Sequence, residues 1–423
     1  MTPDRLPALA DLDRAALAVL GREWLLHGHL QDRVGMALVM EHLGREEMQQ
    51  VAIEEWMAAS PVYSLRMQRA FGFTGHGVDV ICKNLQLDIG APHEFMDFRF
   101  RIDDESHGEF WLAHCGALMD VEPMGEDFVH GMCHTIEDPT FDATAAATNP
   151  LAAIRPIHRP PRMPAGRIPH CRWRIDIVTD GPPVAPHPHQ AVVERSRAAT
   201  LDLDVPDADS DAEGLGDYSG AFDPDFRLED LSHRALVIAL GEFALQSHLL
   251  LRALLLSVDH RLGPDVVYSL TPRLIAGWSG LTAQRLRVAF DLPSTSLGLA
   301  TMLALHPMLA PRDYVGATIS HDGEVVRLGF SDCPAAHEAD AYTWFAGLNG
   351  PMDAAIAGIA AAFDPRAGCE PVPPRADEVA AYVLTLDPSA APAAEPPDLA
   401  IAKISTGARF RFRDGTARLP VLT

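Results

Sequence analysis

DLDRAALAVLGREWLLHGHL, residues 11–30, returns in altered form as DLSHRALVIALGEFALQSHL, residues 230–249. Sliding the chain on itself by 219 residues aligns 11–73 with 230–292 without a gap. The matches keep one register across several predicted helices and include Glu23 with Glu242, His29 with His248 and Arg66 with Arg285. Chance would scatter such matches. The repeat therefore predicts two copies of one domain that arose by gene duplication.

The rest of each copy aligns only with small shifts. Ala-Pro pairs stand at 91 and 310, Cys115 lies near the position of Cys333, and Asn149-Pro150 corresponds to Asp364-Pro365. The duplication is thus predicted to run beyond the first helices, to about residues 178 and 388.

Each copy begins with helical periodicity. Leu12, Ala16, Leu20 and Trp24 recur at helical spacing, with Asp11 as an N-cap. Further helices are predicted at about 33–43, 46–58 and 62–73, with Gly44 ending one of them. Four helical segments therefore precede any strand.

From about residue 93 the pattern alternates as in strands. HEFMDFRFRID and GEFWLAHC predict an antiparallel pair across the turn DDESHG. A helix over about 123–146 follows, and then two more strands, LAAIRPIHR and IPHCRWRIDIV. This order predicts an α+β fold, with helices on one face of a small antiparallel sheet. Two tandem copies would form a pseudo-dimer within one chain.

Four regions follow from this division. The first copy spans 1–178, an acidic, Pro-rich and flexible linker spans 179–228, the second copy spans 229–388, and a tail spans 389–423. Within the tail, IAKISTGARFRFRDG resembles one hairpin and has no counterpart in the first half.

Composition excludes several classes of partner. The net charge of −24 without a Lys/Arg patch excludes nucleic acid. No apolar run is long enough for a membrane span. The acidic N-terminal stretch is unlike a signal peptide, so a cytoplasmic location is predicted, where six cysteines serve as ligands or reactive thiols rather than disulfides. No phosphate-binding glycine motif or GxSxG motif is found. A homodimer is left open.

The chemistry is concentrated in EDFVHGMCHTIED, residues 126–138. His130, Cys133, His134 and Glu137 are spaced so that one helical stripe would carry four metal-capable groups. Cys115 ends one predicted strand and Cys171 lies in another. Three cysteines with a His or Glu as fourth ligand would suit tetrahedral zinc, with iron as the second choice. The predicted metal ligands are therefore Cys115, His130, Cys133, His134, Glu137 and Cys171.

Other Cys and His residues are predicted to be structural. Cys82 lies among apolar residues, and His27 and His29 fit a packed helix. In the second copy the stripe is lost, because Leu348, Asn349 and Met352 stand where Cys133, His134 and Glu137 would be. A residue set that one copy of the fold lacks is more typical of chemistry than of folding.

The stretch CGALMDVEPMGEDFVHGMCHTIED, with LAAIRP and HCRWRI after it, resembles the L-2-amino-thiazoline-4-carboxylate hydrolase family and the wider group of 4-vinyl-reductase-like domains. The resemblance covers about residues 90–178. It implies a site at Cys115, at Cys133 with Glu137 or Asp138, and at Cys171, and aromatic sensors of this group bind zinc through such residues. Here Arg172 precedes Trp173, the reverse of the family order.

Two function classes follow. In the first, zinc or iron activates water to hydrolyse a C–N or C–S bond of a small organic molecule, with Glu137 or His134 as general base. In a variant, Cys133 is the nucleophile. In the second class, the chain is a small-molecule binding or sensor domain with a structural zinc site. Its pocket is predicted between helices and sheet, lined by Phe110, Trp111, Met119 and Phe128. A scaffold without a ligand is the third option.

Overall fold

The first half is built on one long helix followed by a four-stranded sheet. The computed structural model describes residues 6–206 and 213–419. The elements of the first half, in chain order, are α1 (Arg14–Phe71), α2 (Val78–Gln86), β1 (Met96–Ile102), β2 (His107–Cys115), α3 (Gly116–Val121), α4 (Glu126–His130), a π-helical turn (Gly131–Ile136), α5 (Glu137–Ala146), β3 (Ala152–His158) and β4 (Cys171–Ile177).

The second half repeats this order after two short helices, α6 (Gln190–Glu194) and α7 (Arg197–Thr200). Its elements are α8 (His233–Leu262), α9 (Pro264–Ala289), α10 (Ser296–Ala304), α11 (Arg312–Val315), β5 (Ala317–His321), β6 (Val325–Ser331), α12 (Met352–Phe363), β7 (Ala367–Pro371) and β8 (Glu378–Leu386). A last helix, α13 (Pro397–Ala402), follows.

The two sheets share one topology. The strand orders are β1-β2-β4-β3 and β5-β6-β8-β7, with antiparallel pairs throughout. The sheets pack on α5 and α12, which pack in turn on α1 and α9. The α+β class is thereby confirmed. Gene duplication as the origin of the halves stays a prediction.

The helix break predicted at Gly44 recurs in the second half. Gly44 has φ 77° and ψ 179° inside α1, and Gly263, 219 positions later, has φ 81° and ψ 170° between α8 and α9. Positive φ favours glycine at both places. The separate helices predicted after residue 33 are therefore one helix interrupted by this glycine.

The long helices of both halves form a shared core. Helix α1 packs along α8 and α9, and Trp24 donates its indole N–H to the Leu305 carbonyl 3.0 Å away. Helix α8 is long and apolar enough to cross a membrane, but 89% of its apolar window is buried within the protein. Its hydrophobicity is that of a central core helix.

Two reciprocal ion pairs join the halves. The Arg66 guanidinium donates Nε and Nη2 to Glu242 at 2.9 and 2.8 Å, and Arg285 donates the same atoms to Glu23 at 2.7 and 2.8 Å. The four side chains are at most 6% exposed. Each pair maps onto the other by the 219-residue shift. The contact is thus of the kind that a two-fold axis generates between identical subunits.

Each half is followed by an arm that lies on the other half. In the first arm, residues 196–204, the backbone N–H groups of Arg197 and Ala198 donate to Glu338 of the second half at 3.1 Å. In the second arm, residues 405–413, the Thr406 N–H and hydroxyl donate to Asp120 of the first half at 2.6 Å.

The arms correspond to each other in detail. Arg66 donates to the carbonyls of Ala199 and Leu201, and Arg285 donates to those of Gly407 and Phe410. Each arm thus follows one half in sequence and lies on the other half. The two arms are 209 positions apart in the sequence, whereas the two halves are 219 positions apart.

These contacts correct two expectations about the connecting segments. The part of 179–228 that the structure describes is largely exposed but is anchored by buried side chains, among them Tyr218 and Phe226 at 2% and 1% exposure; residues 207–212 lie outside the description. The tail hairpin is wrong: described residues 397–419 form α13, a 3-10 turn at Thr406–Arg409 and an extended segment. The tail has a counterpart, the first arm. Residues 420–423 lie outside the description.

Removing one partner of a reciprocal ion pair should destabilise the whole chain. Arg66→Met leaves Glu242 buried without its cation, so we expect a loss of about 3–5 kcal/mol in the free energy of unfolding in urea. The matched control is Arg45→Met, whose partners Glu46 and Asp127 are 79% and 77% exposed and which should lose much less, because exposed ion pairs contribute little. Equal, small losses in both variants would mean that the reciprocal pairs do not hold the halves together.

Candidate functional site

Three of the predicted site cysteines lie together beside Glu137. Cys115 ends β2, Cys171 begins β4 opposite Leu112 of β2, and Cys133 lies in the π-helical turn. All three are buried free thiols. Burial, and then the Glu137 carboxylate, raise the pKa of each, that of Cys115 to about 12. The thiols of Cys115 and Cys171 raise the pKa of Cys133 further, so the three sulfurs lie within electrostatic range of one another.

His130 and His134 lie on the opposite side of this segment from Cys133 and Glu137. His130 is exposed, and its ring lies 4.2 Å from that of His134 and its Nε2 3.7 Å from Glu126. His134 Nε2 lies 2.7 Å from the Pro160 carbonyl. The single stripe was wrong because it assumed 3.6 residues per turn, whereas this segment is π-helical. The wider turn separates an inner pair, Cys133 and Glu137, from an outer pair, His130 and His134.

No group of three or more His, Cys, Asp or Glu side chains within residues 6–206 and 213–419 has the geometry to hold a metal ion. The donor types of Cys115, Cys133, Cys171 and Glu137 suit zinc, but their side chains do not converge on one point. The metal site and its six predicted ligands therefore stay a prediction.

A cavity of about 270 Å³ lies next to these cysteines, between α1, β1 and the segment that carries Glu137. Six of the chain's 14 methionines line it, together with four aromatic residues. These are Met36, Met40, Met48, Met96, Met124, Met132, Trp56, Phe98, Phe128 and Phe141. Of the pocket residues predicted from sequence, Phe128 lines this cavity, whereas Phe110, Trp111 and Met119 are not among the residues that do.

The end of α13, the residues after it and the start of the second arm form part of the cavity wall. Ile401, Ile404 and Ser405 line it, and the Ser405 hydroxyl donates to Asp120 at 2.7 Å. Ile404 and Met124 are 67% and 48% exposed, so apolar side chains surround the opening to solvent. A cavity in the first half is therefore closed by residues that follow the second half.

Glu137 faces this cavity. It begins α5 and lines the cavity, and in the described structure its Oε2 is buried without a hydrogen-bond partner. Burial and then the nearby Asp138 raise its pKa to about 8, and Arg159 opposes them. A buried, unpartnered carboxyl oxygen is costly for the fold, which makes Glu137 a candidate for contact with a ligand.

A buried polar group on α1, formed by Gln31, Asp32 and Glu55, was not predicted from the sequence. Gln31 and Glu55 are fully buried, and Gln31 donates its amide to Glu55 at 2.6 Å. Burial raises the pKa of Glu55 well above its usual value, so its carboxyl is neutral and can share its proton with Asp32, which lines the cavity. Because Asp and Glu on a helix usually face solvent, their residue types alone gave no sign of burial.

Aligning the two halves with a shift of 219 residues reveals this acidic group in the sequence. Gln31, Asp32 and Glu55 correspond to Leu250, Leu251 and Leu274, three apolar residues of the second half. The fold therefore forms without the acidic group.

The second half divides the equivalent region into two spaces. Met352, the first residue of α12 as Glu137 is of α5, is fully buried and borders both of them. Trp344 and other apolar residues surround a space of about 20 Å³, and Val267, the counterpart of Met48, helps to line a cleft of about 310 Å³. The two halves thus share a fold but differ in the shape and the lining of the space available to a ligand.

Cys82 and His27, which were predicted to be structural, are packed inside the protein. Cys82 is 0% exposed, and burial strongly raises its pKa. His27 is stacked on Trp278 with ring centroids 4.1 Å apart, at the contact between the halves. His29, in contrast, lines the cavity, with its Nε2 3.0 Å from the Arg33 guanidinium.

Comparison of the chain with protein-family models, with curated proteins and with solved structures found no match. The resemblance to the L-2-amino-thiazoline-4-carboxylate hydrolase family and the 4-vinyl-reductase-like domains stays a prediction. The site is therefore interpreted from its own geometry.

Asp88 gives the site a defined pH dependence. Its Oδ1 accepts from the Tyr63 hydroxyl and the Gly90 N–H, and burial raises its pKa to about 6. The folded state therefore holds a proton that the unfolded chain releases at about pH 4. The resulting stabilisation is present below that pH and is lost as the pH rises to about 6.

We expect Asp88→Asn, which keeps the acceptor oxygen but cannot titrate, to gain stability relative to the wild type between pH 4 and pH 6. The gain should be at most about 3 kcal/mol in urea unfolding. Gln49→Met, a neutral change in the same cavity wall, should show no such trend. A flat difference for Asp88→Asn would contradict the raised pKa.

Proposed function

We propose that this protein binds a small, largely apolar organic molecule in the cavity of its first half. The observation that carries the proposal is the cavity itself: it measures about 270 Å³, has a methionine-rich apolar wall, and is lined by Glu137, whose Oε2 is buried without a hydrogen-bond partner in the described structure. Because empty space in a core and an unpartnered buried carboxyl oxygen both lower stability, their presence together supports a binding function.

The lining supports an apolar ligand. Methionine side chains are flexible and polarisable, so a methionine-rich wall adapts to the shape of a ligand. The aromatic residues add flat apolar surface, and a few polar groups, among them Asp32, Asp88 and Glu137, are placed to orient the ligand. This corresponds to the binding or sensor alternative among the sequence-based hypotheses.

Filling the cavity should abolish binding. Ala37 and Ala52 line the cavity, and Ala37 corresponds to Leu256 in the second half. We expect the wild type to bind the neutral dye N-phenyl-1-naphthylamine saturably, with one site per chain by fluorescence titration. In the double variant Ala37→Leu, Ala52→Leu, the affinity should fall at least about tenfold, because the added methyl groups occupy the space of the ligand.

The control for this titration is Ala346→Leu, which lies in a separate cleft of the second half. It should bind the dye like the wild type. The proposal is wrong if the wild type shows no saturable binding, or if the filled variant binds as tightly as the wild type.

Metal-dependent hydrolysis of a C–N or C–S bond is the second candidate function. It is favoured by one observation: Cys115, Cys133 and Cys171 lie within electrostatic range of Glu137, which lines the cavity. Zinc, or iron as the second choice, would be held by these residues and would lower the pKa of a water molecule. The bound ion would also reverse the raised thiol pKa values, because its charge favours thiolates.

Elemental analysis of the purified protein tests this second candidate. About one zinc or iron per chain is expected, with thiols that react only after chelation, and Cys133→Ser should lower the metal content below half. Cys82→Ser, a buried thiol outside the group, should keep the metal. A metal-free wild type with freely reacting thiols would leave only the binding function.

A further inference from the structure

We propose that the ligand of the first-half cavity is an organic cation, an amine with an apolar body, whose ammonium group binds between Asp32, Asp88 and the ring of Trp56. The inference rests on the proposed binding function and adds the chemical class of the ligand. It is argued from the wall formed by α1 and the segment after α2, opposite the cysteines.

The ring of Trp56 is held in place by a carboxylate. Its indole N–H donates to Asp32 Oδ2 at 2.8 Å, and both residues line the cavity. The Asp32 carboxyl also lies within hydrogen-bond range of the Glu55 carboxyl. An aromatic face beside a carboxyl group is an arrangement that attracts ammonium groups.

Asp88 supplies a second carboxylate on the same side. A Cβ atom placed on Gly90 would lie 3.0 Å from the Trp56 ring and 3.1 Å from Asp88 Oδ1, so the ring and the carboxylate both lie close to Gly90. A side chain at Gly90 would press against both of them. With a pKa of about 6, Asp88 is negatively charged at neutral pH.

Arg33 is the one guanidinium among the described residues of the cavity wall, and it is already engaged. It lies 3.2 Å from Asp120 and 3.0 Å from the ring nitrogen of His29. Burial, and then Arg33, lower the pKa of His29, so its ring is neutral. The remaining lining carboxyl groups are Asp32, Asp88 and Glu137. Among the described lining residues, acids therefore outnumber cations.

The second half does not have these residues at the equivalent positions. Trp56, Asp88 and Gly90 correspond to Ile275, Pro307 and Leu309. Ile275 and Leu309 border the space of about 20 Å³. An aromatic ring beside this pair of carboxyl groups is therefore a feature of the first half.

The amine selectivity can be measured with three probes that share one carbon skeleton. These are 3-phenylpropan-1-amine, 3-phenylpropan-1-ol and 3-phenylpropanoate, titrated at pH 7.5 as competitors of N-phenyl-1-naphthylamine. The wild type should bind the amine at least tenfold more tightly than the alcohol, and the alcohol more tightly than the carboxylate. In Asp32→Asn and in Asp88→Asn the amine should fall to the affinity of the alcohol, while the dye and the alcohol bind as before.

Dye binding by each variant shows that its cavity is intact. Asp127→Asn is the matched control, because Asp127 pairs with Arg45 and is not among the residues that line the cavity; it should keep the tenfold preference. If the dye and the alcohol bind but the amine is no tighter, the inference is wrong and the proposed function stands. If none of the four compounds binds, the proposed function fails and the inference fails with it.

Discussion

The bidentate pairing of Arg66 with Glu242, and of Arg285 with Glu23, is the interaction on which the rest of the structure depends. A buried guanidinium must find acceptors for its N–H groups, and each arginine finds them in the carboxylate of the other half and in the carbonyls of an arm. This requirement fixes three things together: how α1 lies against α8, where each arm runs, and which half each arm covers.

Within this nearly symmetric frame the interiors of the two halves differ. In the second half, Leu250, Leu251 and Leu274 stand at the positions of the acidic group of the first half. The first half keeps an acidic group, an unpartnered Glu137 oxygen and a cavity next to three thiols. Raised pKa values of Glu55 and Glu137 show how the fold tolerates these groups, since a neutral carboxyl is much easier to bury than a charged one.

Sequence reasoning predicted the elements well where a single periodicity held. The strands around Phe100 and Phe110 followed from alternation, and the break at Gly44 followed from its residue type. The prediction failed where the helix departed from 3.6 residues per turn: the π-helical turn separated His130 and His134 from Cys133. It also failed where the partner is distant in sequence, because Phe410 and Phe412 alternate like a strand but pack against an arginine and a phenylalanine of the other half. The Glu55 carboxyl is bonded to Gln31, 24 positions earlier and before the break at Gly44, so no local pattern around Glu55 could show its burial.

The exchange of arms also bears on the order in which the protein is made. Asp120 and Ser405, which meet at the cavity wall, are separated by 285 positions. Synthesis proceeds from the N-terminus and domains tend to fold as they emerge. The first half is therefore complete before Ser405 is synthesised, and its methionine-lined cavity lacks one wall until the second half has been translated. Any chain that stops before Ser405 would therefore expose an apolar surface of the kind that chaperones and proteases recognise.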